Sequence, residues 1–154
     1  MKVASFEIVF QEVPGEVTLA LNISGCPNRC KGCHSPHLWE DTGEELTTEL
    51  LDALVNRYFP GITCVCFMGG DQDADYVATL AKHVHESFGL KTAWYTGQQF
   101  AMTEDIPAVF DFVKTGPYVE TLGGLKSPTT NQRFYRHEGT SWIDETEKFH
   151  KTRH

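Results

Sequence analysis

The sequence predicts an α/β chain folded as a single domain, residues 1–154, around a mainly parallel sheet. A short, continuous apolar run, Ile62–Met68, reads as a strand buried on both faces, and Lys91–Tyr95 reads as another buried strand. Between them, Tyr76, Val77, Leu80, Ala81 and Val84 fall at helical spacing within Asp73–Phe88, and Gly89 is placed to cap that helix. Strand and helix therefore alternate, the order that builds parallel sheets with right-handed crossovers.

The remaining elements follow from local chemistry. Ser5–Val13 and Glu16–Ile23 alternate roughly in polarity around Pro14-Gly15, so residues 1–15 read as an N-terminal strand and turn leading into a second strand. A Pro-, Asn-, Gly- and His-rich loop runs from Ser24 to about Trp39. The acidic stretch Glu40–Glu45 then precedes a helical pattern at Leu50, Leu51, Leu54 and Val55, which Pro60-Gly61 ends. The acidic stretch reads as a solvated helix start or as docking surface for a partner. A short helix is expected between Gln98 and Glu104, and a short strand at Val109–Lys114. Beyond Thr115 the pattern weakens, with a loop and short strand across Ser127–Arg136 and a partly ordered tail over residues 137–154.

Bulk composition narrows the class of function. Apolar residues make up 40% and charged residues 22% of the chain, which suits a packed globular core. A net charge of −8 and a pI near 5.3 argue against a nucleic-acid partner, whose phosphates demand clustered lysine and arginine. The first residues lack the pattern of a signal peptide, and no run approaches the roughly 18 apolar residues of a membrane span. A cytoplasmic protein with no membrane partner is expected.

Cys26, Cys30 and Cys33 are spaced for a metal, on a loop that follows a strand, and no fourth cysteine lies close by. Structural zinc is closed by four ligands and an electron-carrying cluster takes four thiolates, so three suggest a centre with one position open. Zinc completed by His37 is the competing reading; His34, adjacent to Cys33, is poorly spaced for it. Cys64 and Cys66, two apart in a strand, share one face and read as core, with a redox pair as the alternative. The turns Gly69-Gly70-Asp71, Thr96-Gly97 and Thr115-Gly116-Pro117 all follow strands. They should meet the cysteine loop at the carboxyl ends of the sheet, where ligands gather. His83 and His85 read as solvated helix residues, and Tyr95, Phe110, Phe112 and Tyr118 as core.

These residues carry a resemblance. The C-x3-C-x2-C spacing resembles the signature of the radical S-adenosylmethionine enzymes. The run Asn22-Ile23-Ser24-Gly25-Cys26-Pro27-Asn28-Arg29-Cys30-Lys31-Gly32-Cys33-His34, with Gly69-Gly70-Asp71 and Asn131-Gln132-Arg133, most resembles the anaerobic ribonucleoside-triphosphate reductase activating proteins. The resemblance implies a small, partial, open parallel β/α barrel of the radical S-adenosylmethionine type. It implies a [4Fe–4S] cluster on Cys26, Cys30 and Cys33, with S-adenosylmethionine on the fourth iron. Gly69, Gly70 and Asp71 would receive the cosubstrate's amino group, and Gly32, Cys33 and His34 would lie along its adenosine. Thr96, on the neighbouring strand end, joins this pocket.

The implied reaction is reductive cleavage to a 5′-deoxyadenosyl radical, which forms a glycyl radical on the large subunit of anaerobic ribonucleoside-triphosphate reductase. Electrons would come from an external flavodoxin- or ferredoxin-like donor. Gly32 and Gln72 depart from the wider pattern, which often has an aromatic residue and a proline there. The rivals are a small radical enzyme acting on a free metabolite, such as a deazapurine synthase, and a non-catalytic iron–sulfur or zinc module.

Overall fold

The computed structural model describes residues 1–10, 12–24, 43–98, 108–117, 119–139 and 141–150. One sheet of eight strands runs through them. In chain order these are β1 (Lys2–Val9), β2 (Thr18–Ile23), β3 (Glu44–Glu45), β4 (Cys64–Met68), β5 (Lys91–Tyr95), β6 (Phe112–Thr115), β7 (Arg133–Glu138) and β8 (Ser141–Asp144). The helices are α1 (Thr48–Tyr58), α2 (Ala74–Phe88) and the single turn α3 (Glu147–His150). Across the sheet the order is β3-β1-β2-β4-β5-β6-β7-β8.

The expected α/β class holds, but the sheet is mixed and not mainly parallel. β2, β4, β5 and β6 pair in parallel, whereas β3, β1, β7 and β8 add antiparallel strands at the two sides. The sheet also has strands that the sequence pattern does not announce, because the flanking strands carry weak signals. The acidic Glu44-Glu45 forms β3 against Lys2-Val3 instead of starting a helix, and the expected tail contains β8 and α3. The short helix expected between Gln98 and Glu104 falls almost wholly outside the described residues, as does Tyr118.

The central strands are apolar because both faces are covered. On one face, Leu19, Leu21, Ile23, Val65, Phe67, Trp94 and Val113 pack with Leu51, Leu54 and Val55 of α1 and Val77, Leu80, Ala81 and Val84 of α2. On the other, Cys64, Cys66, Ala93, Phe112 and Phe134 pack with Val13, Leu125 and Phe149. Period-two alternation in β4, β5 and β6 divides their residues between these two cores.

Both long helices are capped as their sequences require. The Thr47 side chain accepts from the Leu50 N–H at 3.1 Å, and Asp73 accepts from the Tyr76 N–H at 3.2 Å. Gly89 closes α2 with φ 66°, its N–H bonded to the His85 carbonyl. The two α2 histidines are not simply solvated. His83 lies 2.7 Å from Asp52 of α1, and His85 lies 3.1 Å from the Thr92 hydroxyl and 3.3 Å from Asp111. They tie the helix to α1 and to the start of β5. Among the described residues, no helix is long and apolar enough to cross a membrane.

Two predictions test this packing. Phe134 is fully buried, with ring centroids of Phe149 at 5.0 Å, Phe112 at 5.9 Å and Tyr95 at 6.3 Å. Phe134→Ala should lower unfolding stability by about 3–5 kcal/mol in urea titrations. Burial alone raises the Glu145 carboxyl, but Arg136 at 2.9 Å and Lys148 at 3.1 Å outweigh it and hold it below the usual carboxylate range. A depressed folded pKa contributes stability above the unfolded pKa and loses it as pH falls through the folded one. Glu145→Gln should therefore lower the thermal midpoint at neutral pH and flatten its decline below about pH 5.

Candidate functional site

Parallel pairing brings the carboxyl ends of β2, β4, β5 and β6 to one edge of the sheet. Four segments meet there: Ser24, Gly69–Gln72, Thr96–Gln98 and Thr115–Pro117. Of the expected site residues, Gly69, Gly70, Asp71 and Thr96 are thus placed together. Cys26, Cys30, Gly32, Cys33 and His34, with His37, lie outside the described residues. The segment bearing them leaves β2 at Ser24, whose N–H donates to the Lys2 carbonyl at 3.0 Å.

Asp71 links the β4 end to the β5 end. Its carboxylate accepts from the Thr96 hydroxyl at 2.5 Å and from the Gly97 N–H at 2.9 Å. Thr96 is fully buried, and its hydroxyl also accepts from the Gln98 N–H at 3.0 Å. The threonine therefore grips the carboxylate, a contact that the pattern of turns did not reveal. The effect is a negative charge fixed at the strand ends.

The two glycines are required by the backbone itself. Gly69 and Gly70 have φ of 109° and 87°, where a side chain is strained. A Cβ on Gly70 would also lie 2.5 Å from a Val77 methyl. The turn is fixed on the β5 side, where the Trp94 indole N–H donates to the Gly69 carbonyl at 2.8 Å and the Gly69 N–H donates to Tyr95 at 3.0 Å.

The same edge continues through β6. The Gly116 N–H donates to the Gln98 carbonyl at 2.9 Å, and the Gly116 carbonyl accepts from Lys114 at 3.2 Å and Gln132 at 3.4 Å. The Asn131 amide donates to the Pro117 carbonyl at 3.1 Å. Asn131 and Gln132 thus buttress the turn after β6. Arg133 is half exposed and points elsewhere, 3.7 Å from Asp144. Lys114, read from the sequence only as the end of a strand, lies at this edge as well. It is buried, with its ammonium 5.6 Å from the centroid of the Tyr95 ring, and its signal was a lone charge in an apolar strand.

The cysteine inventory tests whether a three-thiolate cluster suits this chain. Two of the five cysteines, Cys64 and Cys66, are fully buried, and desolvation pushes both thiols well above their ordinary range. A neutral buried thiol is a poor metal ligand. Among the described residues, no group of His, Cys, Asp or Glu could hold a metal ion. The other three cysteines, Cys26, Cys30 and Cys33, follow Ser24 in the sequence, and three thiols are a set that fits a cluster with one open iron.

Comparison with known proteins agrees with this chemistry. A family model described as a 4Fe-4S single cluster domain matches residues 13–134, a span that includes the three cysteines and every turn at this edge. An anaerobic ribonucleoside-triphosphate reductase-activating protein of Enterobacteria phage T4 is 26% identical over 138 residues, covering 80% of this chain and 86% of the relative. The resemblance expected from the sequence is therefore found. No solved structure matches. A match over most of the chain settles the family: the chain belongs to the family of 4Fe-4S single cluster domains.

Proposed function

We propose that this chain is a radical S-adenosylmethionine activase that generates a glycyl radical on the large subunit of anaerobic ribonucleoside-triphosphate reductase. One observation carries the reading: the segment with three clustered cysteines leaves the sheet beside the Gly69–Asp71 turn, on the edge shared by four parallel strands. The phage relative's name supports the same partner. In this reading the four parallel strands are the core of a partial, open radical S-adenosylmethionine barrel. The protein works in the cytoplasm with an external flavodoxin- or ferredoxin-like donor.

Cys26, Cys30 and Cys33 would hold the [4Fe–4S] cluster, with one iron left open to S-adenosylmethionine through its amino and carboxylate groups. When bound, this pair would supply one-electron reductive cleavage of the sulfonium, the chemistry needed to take hydrogen from a glycine α-carbon. Asp71, held by Thr96 and Gly97, orients the cosubstrate's amino group against the turn at Gly69 and Gly70. Gly32, Cys33 and His34 line the adenosine. Thr96 serves the pocket by fixing Asp71. No general acid or base is required, since the cofactor carries the chemistry and the protein supplies binding and alignment.

Anaerobic reconstitution tests the proposal. About four irons per chain and reductant-dependent 5′-deoxyadenosine are expected, both lost in Cys30→Ala and both sensitive to oxygen. A full cluster that cleaves no S-adenosylmethionine, with or without the reductase, would contradict it. Asp71→Asn sets an amide N–H₂ against the donors of Thr96 and Gly97 and removes the charge. It should raise the KM for S-adenosylmethionine by roughly ten- to a hundredfold at unchanged iron content, whereas an unchanged KM would remove Asp71 from this role.

A further inference from the structure

The regular pairing of β2 with β4 ends at Asn22 and Met68. Beyond it, the chain passes through Gly69 and Gly70, both at positive φ and close against Ile23, and the Gly69 N–H is directed to the Tyr95 carbonyl of β5. Ser24 is fully buried and turns its N–H and hydroxyl toward the Lys2 carbonyl, at 3.0 and 3.3 Å. The regular β2–β4 ladder thus ends two residues before Ser24, the last described residue ahead of the cysteine-bearing segment.

A side chain joins them instead. The Gln72 amide N–H donates to the Ser24 carbonyl at 2.9 Å, across 48 positions of sequence. Its base is held on both sides. Asp71 is bonded to Thr96 and Gly97, and Asp73 caps α2 while its own N–H bonds the Gly70 carbonyl at 3.0 Å. Gln72 is otherwise exposed, and nothing in the packing of either core calls for glutamine here.

We propose that Gln72 is a positioning residue: its amide fixes where the three-cysteine segment leaves β2 relative to the Gly69–Asp71 turn. This rests on the reading that the segment holds the cluster. The long side chain spans a gap that a ring at this position could not, and it supplies an N–H donor. Metal binding is coupled to the ordering of the ligands, and outer partners that orient them change metal affinity out of proportion to their effect on global stability.

The test compares the wild-type chain with Gln72→Ala, Gln72→Glu and Gln72→Arg. The readouts are the rate at which the reconstituted cluster is lost to a chelator and the thermal midpoint of the cluster-free protein. Ala removes the donor, Glu turns a carboxylate toward a carbonyl, and Arg keeps an N–H donor of similar reach. Cluster loss should be roughly three- to tenfold faster in the Ala variant and at least as fast in Glu, with Arg close to wild type. The cluster-free midpoints should stay within about 2 °C of one another. Equal rates in all four proteins would overturn the proposal, as would losses that merely follow a fallen midpoint. If Glu folds poorly, the Ala and Arg variants decide. A wild-type cluster that is retained yet cleaves no S-adenosylmethionine would fail the proposed activity alone, leaving the comparison of rates to judge Gln72.

Discussion

The Asp71 carboxylate is the constraint on which the functional edge depends. It sits just past β4 and is held by a buried hydroxyl and a backbone N–H just past β5, so two parallel strand ends are locked at a fixed charge. Hydrogen bonds to a charged acceptor are the stronger kind, and shielding by the buried Thr96 strengthens them further. The glycine turn before Asp71 is fixed in the same direction by the Trp94 indole, whose ring stacks on Phe110 at 5.4 Å inside the helix-side core. Core packing and site geometry thus share one residue.

From Asp71 the lacing extends both ways along the edge. Gln72 ties the β4 end to the β2 end, Gln98 and Gly116 tie β5 to β6, and Gln132 reaches back from the start of β7 to the Gly116 carbonyl. Each link joins neighbours in the sheet order, so the strand ends form a continuous series from Ser24 to Gln132. The antiparallel strands at the sides contribute to this. β1 receives the Ser24 N–H, and β7 brings Asn131 and Gln132 against the turn after β6. A mixed sheet is therefore suited to the site, since its flanking strands brace the parallel centre.

Legibility followed burial. β4, β5 and α2 were readable because their apolar residues answer to packing on two faces or one stripe, and Gly89 announced its own left-handed cap. β7 was readable only as a short strand of uncertain extent, since Phe134 alone is buried among its six residues. β3 was misread because two glutamates have low strand propensity, and pairing with Lys2 and Val3 overrides it. At the site, the Gly69-Gly70-Asp71 turn was visible as a motif. The Thr96 grip was not, because it joins residues 25 apart that only the sheet brings together. Gln72 stood out in the sequence as a departure from a proline, and its bond to Ser24 gives that departure a physical purpose.

The family match gives this chain a 4Fe-4S single cluster domain, and the strand ends carry a pre-set charged turn. What distinguishes an activase from any other single-cluster domain is where the oxidising equivalent ends up. The most direct measurement is the electron paramagnetic resonance spectrum of the anaerobic reductase after incubation with the reconstituted chain, S-adenosylmethionine and a reductant. The expected result is a glycine-centred radical on the reductase that is absent when Cys30→Ala replaces the wild-type chain. Cleavage of S-adenosylmethionine with no radical on the reductase would contradict the central claim.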